Sequence, residues 1–342
     1  MCAIKIKKTR ALVLFSGGLD SILAARTLLE QGIDVLAVCF TSPFYGCGKA
    51  LVSAKELGIE CRVVDVSKDI LELVKNPPSG YGKHLNPCID CHSMMAKNAA
   101  KIMKEEEFDF IATGEVLGQR PFSQNRNALA QVSELAGTEI LRPLSAKYLP
   151  KTDIENKGLV RRSGLHSIQG RTREYQSDLV IKYGIQDYPS PAGGCLLTDP
   201  GFSERLGRML EYWPDCDSND TEILKHGRVF WFVNAEDKER VLLIVGRHHA
   251  DNQQLEKMKK RDDILLELVD INGPTSLIRK RGDNSFKLPE TLQLDIPKEL
   301  KFSTLNLDKA KATKEILNIA CLLTGYYATK ARGQSVKCKI VV

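Results

Sequence analysis

The chain has 342 residues, 43% hydrophobic and 27% charged, with a formal net charge of +6. That exceeds one ordinary domain of about 100–200 residues, the composition is globular rather than disordered, and no run of about 18 apolar residues exists to cross a membrane. No apolar stretch follows the early lysines as a signal peptide would require, so a cytoplasmic location is expected, and ten cysteines there point to thiol chemistry or metal binding rather than a disulfide framework.

Residues 11–15 (Ala-Leu-Val-Leu-Phe) form a continuous apolar run, the pattern of a buried parallel strand. A tight turn over 16–21 leads into a helix over 21–31, which Gly32 stops. Strands are predicted at 34–41 and 60–66 with a helix at 51–57 between them, then a loop at 76–86, a helix at 93–107 and a short strand at 108–112. Alternation of strands with helices predicts an α/β fold with a doubly wound parallel sheet, whose ligands sit at the carboxyl ends of the strands. Residues 186–202 read as a second Pro/Gly loop. The polar stretch opened by Trp213 marks a boundary, giving domains 1–212 and 213–342. In the second, smaller α+β domain, 229–233 and 241–245 read as paired strands and 308–327 as a helix.

The sharpest motif is Ser16-Gly17-Gly18-Leu19-Asp20-Ser21, placed after a strand and at the opening of a helix. Two glycines let the backbone approach an anion, and free N–H groups at the helix start point towards it. Ser16 and Ser21 add hydroxyl donors, whereas Asp20 suits the magnesium that accompanies phosphates. A tight turn with a polar cap would account for the glycines alone, but not for the strand, loop and helix in register.

This segment resembles the PP-loop of the N-type ATP pyrophosphatases, which have an adenine nucleotide alpha hydrolase-like fold and cleave ATP between its α and β phosphates to form adenylated intermediates. The resemblance implies that Ser16, Gly17, Gly18, Asp20 and Ser21 bind pyrophosphate and its metal, and that Phe40 and Thr41 contact adenosine. Ala112-Thr-Gly114-Glu-Val-Leu-Gly-Gln119, Ile140-Leu-Arg-Pro-Leu144 and the following Thr152-Asp-Ile-Glu resemble tRNA 4-thiouridine synthases, with Gly114 a further nucleotide contact. Pro189-Ser-Pro-Ala-Gly-Gly-Cys195 is similar to the segment of tRNA thiolases that carries a functional cysteine.

Cys88 and Cys91 lie three positions apart before the predicted helix, where its dipole would depress both thiol pKa values. Cys195 follows two glycines that allow close approach to a ligand. Three thiolates without a clear fourth suit a [4Fe-4S] cluster with one open iron, and by resemblance to cluster-bearing tRNA thiolases Cys88, Cys91 and Cys195 are its ligands. Two alternatives stay open: zinc (Zn2+) with His92 completing a Cys3His set, and a cysteine persulfide on Cys195 or Cys91 with no cluster. Cys39 reads as core and Cys47 as a loop residue near the nucleotide.

For RNA, Arg161, Arg162, Arg171 and Arg173 form a basic cluster, with Lys151, Lys157 and Lys182 nearby, although interspersed acids fit a solvated face as well. Residues 220–340 resemble the RNA-binding domain of the NFACT proteins, which makes Arg247, Asn252, Arg279, Lys280 and Arg281 candidates there. The implied function is an ATP-dependent tRNA sulfurtransferase acting on a uridine carbonyl, of the 4-thiouridine or 2-thiouridine type. Cys88, Cys91, Cys195 and Asp20 would be catalytic, with tRNA and a sulfur donor (sulfide or a cysteine desulfurase) as partners; a homodimer is left open. The competing readings are a PP-loop enzyme that adenylates a small molecule and a non-catalytic RNA-binding protein with a vestigial nucleotide site.

Overall fold

The structure, a computed structural model, describes residues 8–188, 194–233, 238–281, 289–302, 305, 307 and 313–341. The chain divides into two compact units, Met1–Ser203 and Glu204–Val342.

The first unit runs β1 (Arg10–Leu14), α1 (Leu19–Glu30), β2 (Asp34–Thr41), α2 (Gly48–Leu57), β3 (Glu60–Asp65), α3 (Ser67–Lys75), α4 (Cys88–Glu105), β4 (Phe110–Thr113), α5 (Arg126–Ala136), β5 (Ile140–Leu141), α6 (Asp153–Asn156) and α7 (Glu174–Tyr183). All five strands are parallel, in the order β3-β2-β1-β4-β5. The chain therefore winds outwards in both directions from β1, and the crevice between β1 and β4 is the topological switch point where such sheets take ligands. Alternate residues of β1 serve opposite faces. Ala11 and Val13 pack with Ile22, Ala25 and Leu28 of α1 and Ala50 and Ala54 of α2. Leu12 packs with Ala96 and Ala99 of α4 and Ala128 and Val132 of α5. Cover on both faces is the reason that residues 11–14 of β1 are all apolar rather than alternating.

Some elements depart from the sequence reading. Helix α4 begins at Cys88 rather than Ser93: the Cys91 N–H bonds to the Pro87 carbonyl at 2.8 Å, and Pro87, with φ −85°, suits a helix entrance. Both cysteines thus belong to the first turn itself. Helix α3 was not anticipated. It buries Ile70, Leu71 and Val74 on one face and turns charged residues to the other, a helical pattern that the sequence reading passed over. Residues 200–202, assigned from sequence to a loop, open a helix, α8 (Pro200–Tyr212), since proline costs nothing at the first helical position.

The division between the units falls within α8. The second unit contains α9 (Ser218–Ile223), β6 (Arg228–Val233), β7 (Arg240–Val245), α10 (His249–Met258), β8 (Ile264–Leu268), β9 (Ser276–Lys280), β10 (Thr291–Asp295), α11 (Thr313–Tyr327) and β11 (Ser335–Val341). Its sheet is antiparallel, in the order β10-β11-β8-β9-β7-β6. Helix α11 packs Leu317, Ala320 and Cys321 against Leu243, Ile278 and Cys338 of the sheet. Residues 308–312 of the anticipated helix lie outside the described residues. No described helix is long and apolar enough to cross a membrane.

A buried ion-pair network braces this unit. Arg279, 3% exposed, donates to Asp263 at 2.6 Å and to Asp220 at 2.8 Å, both almost fully buried. It also bonds Asn219 and the Met258 carbonyl. Arg279 is thus withdrawn from the candidate RNA contacts, because its guanidinium is sealed inside the domain. Replacing Asp263 with alanine is expected to cost about 3 kcal/mol, the lower end for breaking a buried pair, because Asp220 remains. Urea unfolding followed by the fluorescence of Trp213 and Trp231, both in this unit, checks it; an unchanged midpoint would contradict it.

Candidate active site

In the first unit, a cavity of about 880 Å³ opens at the carboxyl ends of β1, β2 and β4. Ser16, Gly18, Asp20 and Ser21 line one side, Phe40 and Gly114 stand beside them, and Cys88, Cys91 and Cys195 line it as well. Sequence segments that are remote from one another therefore share one chamber.

The helix end is built for an anion. Gly18 is the extended N-cap of α1 with no side-chain cap, so the first amides remain available. The Ser21 hydroxyl donates to the Gly18 carbonyl at 2.8 Å, which commits it to holding the turn. Gly17 has φ +73° and lies against the Lys49–Ala50 backbone, where a Cβ would collide. A Cβ on Gly114 would lie 2.6 Å from the Asp20 carbonyl and the Ser21 amide. Glycine at 114 is thus what lets β4 close on the phosphate loop. Gly17 and Thr41, both anticipated as nucleotide contacts, are absent from the lining; Gly17 supports the loop from behind. Lys49, Arg120 and Arg173 add positive charge to the chamber.

Asp20 accepts from Gln119 Nε2 at 3.1 Å through Oδ2, while its Oδ1 is buried with no partner among the described residues. A bare carboxylate oxygen beside an anion site fits a hard cation such as magnesium.

The thiols differ from expectation in one respect. Burial pushes Cys91 up to about 12 and Cys195 up to about 11, and raises Cys88 too. Removal from water outweighs the helix-end effect. The Tyr45 hydroxyl lies 3.7 Å from Cys91 Sγ. The Cys3His zinc alternative finds no support in the grouping of the side chains. His92 turns Nδ1 to Glu115 at 2.9 Å, and among the described residues no group of three or more His, Cys, Asp or Glu side chains could hold a metal ion. A cluster spreads its ligand sulfurs wider than one ion does, and three thiols around one cavity match that donor set. Cys39 is buried in the core, as read from the sequence, whereas Cys47 departs from its reading. They are joined as a disulfide, and Cys47 is buried at the start of α2.

A network that sequence reasoning missed frames the thiols. Glu115 is buried and receives Arg142 Nε at 3.0 Å, Thr113 Oγ1 at 3.0 Å and His92 Nδ1. Burial alone would raise its pKa, but the buried Arg142 guanidinium and His92 hold it down at about 2. The available signal was Arg142 itself, a charge within the otherwise apolar Ile-Leu-Arg-Pro-Leu segment.

Of the basic candidates, only Arg173 lines the cavity. Arg161 and Arg171 are exposed elsewhere. Arg162 is tied to Glu155 at 2.7 Å and to the carbonyls of Ala146 and Leu149. In the second unit, Arg247 is bound to Asp251 at 2.7 Å. Residues 189–193 of the thiolase-like segment lie outside the described residues.

Residues 7–162 match the family model described as thiamine biosynthesis protein (ThiI). A probable tRNA sulfurtransferase of Bacillus pumilus is 33% identical over 155 residues, covering 42% of this chain and 36% of its own. One from Methanosarcina mazei is 30% identical over 183 residues, covering 48% and 40%. The chain thus spans well under half the length of these curated relatives. A solved 4-thiouridine synthetase–RNA complex with bound ATP aligns at 21% identity over 52% of each chain, with a TM-score of 0.34.

Because the folded pKa of Glu115 lies below its ordinary 4.5, its contribution to stability is complete above that pH and is lost as pH falls towards about 2. Glu115→Gln should therefore be less stable near neutral pH and lose less on acidification. Guanidinium midpoints near neutral pH and at about pH 3 test this; parallel losses in the two proteins would refute it.

Proposed function

We infer, from the premise that residues 7–162 form a ThiI-family domain, that this protein is an ATP-dependent tRNA sulfurtransferase that adenylates a uridine carbonyl and replaces its oxygen with sulfur. The observation that carries this reading is the meeting of the phosphate loop and three thiols in one cavity. ATP lies with its phosphates on the N-terminus of α1, against Ser16 and Gly18, and with its adenosine near Phe40. The target base enters unstacked, as single-stranded RNA bases do at such sites. Its carbonyl oxygen attacks the α-phosphorus, and the bond to the bridging oxygen breaks to release pyrophosphate. Free amides at the helix end, with Lys49, stabilise the charge that develops on the phosphates. A sulfur nucleophile then forms a bond to the base carbon, and the carbon–oxygen bond breaks with AMP as the leaving group.

Asp20 would hold magnesium, which neutralises phosphate charge when bound. Cys88, Cys91 and Cys195 would hold a [4Fe-4S] cluster, which supplies an open iron for a transferable sulfide. Sulfide or a cysteine desulfurase serves as the sulfur donor, tRNA as the substrate and the cytoplasm as the location. The second unit contributes RNA affinity in this reading, through exposed positive charge.

Nucleoside mass spectrometry of total tRNA with and without the gene is the deciding measurement, and loss of one thionucleoside is the expected result. With purified protein, Asp20→Asn should lower thionucleoside formation at least about 100-fold, and Cys195→Ser should abolish it while leaving ATP binding intact. An unchanged tRNA profile would direct the adenylation chemistry to a small molecule. Absence of iron and inorganic sulfide from anaerobically purified protein would exclude the cluster and leave a persulfide.

A further inference from the structure

The turn between β4 and α5 carries a side chain that neither the phosphate nor the sulfur chemistry uses. Gln124 is 6% exposed, lines the same cavity, and has an Oε1 with no partner among the described residues. Its backbone is fixed on both sides: its N–H donates to the Arg120 carbonyl at 2.8 Å, and its carbonyl accepts from the Gly118 N–H at 2.7 Å. The following residue, Asn125, caps α5 by accepting from the Ala128 N–H at 2.9 Å. Ser123 before it is buried and lies near enough to Cys88 to oppose part of the rise that burial gives its thiol. The main chain at Gln124 is therefore fixed on the Cys88 side of the chamber.

A buried amide oxygen without a partner is costly, and a ligand N–H removes that cost. We propose that Gln124 reads the target base: its Oε1 accepts the uracil N3–H, and its Nε2 donates to the ring carbonyl that is not being modified. This rests on the sulfurtransferase reading above. A carboxamide carries one acceptor and a pair of donors side by side, the complement of an imide N–H and its neighbouring carbonyl. Cytosine in the same pose would set an unprotonated N3 against Oε1, acceptor facing acceptor. The carbonyl that attacks phosphorus stays free. Gln124 is thus a specificity-determining residue, distinct from the groups that bind phosphate or sulfur.

The test compares full-length wild-type protein with Gln124→Leu, which retains the buried bulk. Saturation-transfer NMR with uridine, N3-methyluridine and cytidine measures base recognition without catalysis, and thionucleoside formation in tRNA measures turnover. Wild-type protein should bind uridine over the other two nucleosides. Gln124→Leu should lose that preference and form thionucleoside about 10- to 100-fold more slowly, with unchanged ATP affinity and thermal midpoint. Equal binding of uridine and N3-methyluridine by the wild type, no binding of uridine, or undiminished discrimination in Gln124→Leu would overturn the proposal. Failure of wild-type protein to thiolate tRNA, with uridine discrimination intact, would instead remove the sulfurtransferase reading and support the role of Gln124.

Discussion

The carboxylate of Glu115 is the joint on which the site turns. It follows β4, takes its strongest partner from Arg142 just beyond β5, and takes another from His92 in the first turns of α4. A carboxylate in the interior would ordinarily take up a proton. Here the buried guanidinium keeps it ionised, and removal of either partner would strand a charge. Because His92 is next to Cys91, the same network also fixes the first turn of α4 against the chamber, and two of the three thiols with it.

Close approach of backbone to backbone is the second requirement. Gly17 accepts the backbone of α2, and Gly114 accepts the carbonyl of Asp20. Together they draw the phosphate loop between its neighbours at the switch point of the sheet. Asp20 is left with one oxygen satisfied by Gln119 and one unsatisfied. Asp20 Oδ1 is thus an unpaired buried atom at the place where a cation accompanying a charged ligand would offset it.

The thiols show how burial governs reactivity. At the surface, the first turn of a helix would make a cysteine more acidic. Inside this chamber burial dominates, and Cys91 and Cys195 hold their protons at neutral pH. Such thiols are poor nucleophiles by themselves. They become effective ligands when a cation replaces the proton.

The alternation of apolar runs and helical segments was enough to establish the parallel sheet, because strands covered on both faces must be apolar throughout. The glycines and Asp20 of the phosphate loop were equally legible, since their chemistry is local to six consecutive residues. The antiparallel pairing of 229–233 with 241–245 could be read for the same reason. Tertiary structure alone decided which charges are internal. Glu115 and Arg279 resemble surface residues in the sequence, and their burial follows from partners 16 to 59 positions away. It alone also placed Gln124 on the wall of the chamber that the three thiols line. Burial and pairing across such separations depend on how the elements pack, and that information is not contained in any short stretch of chain.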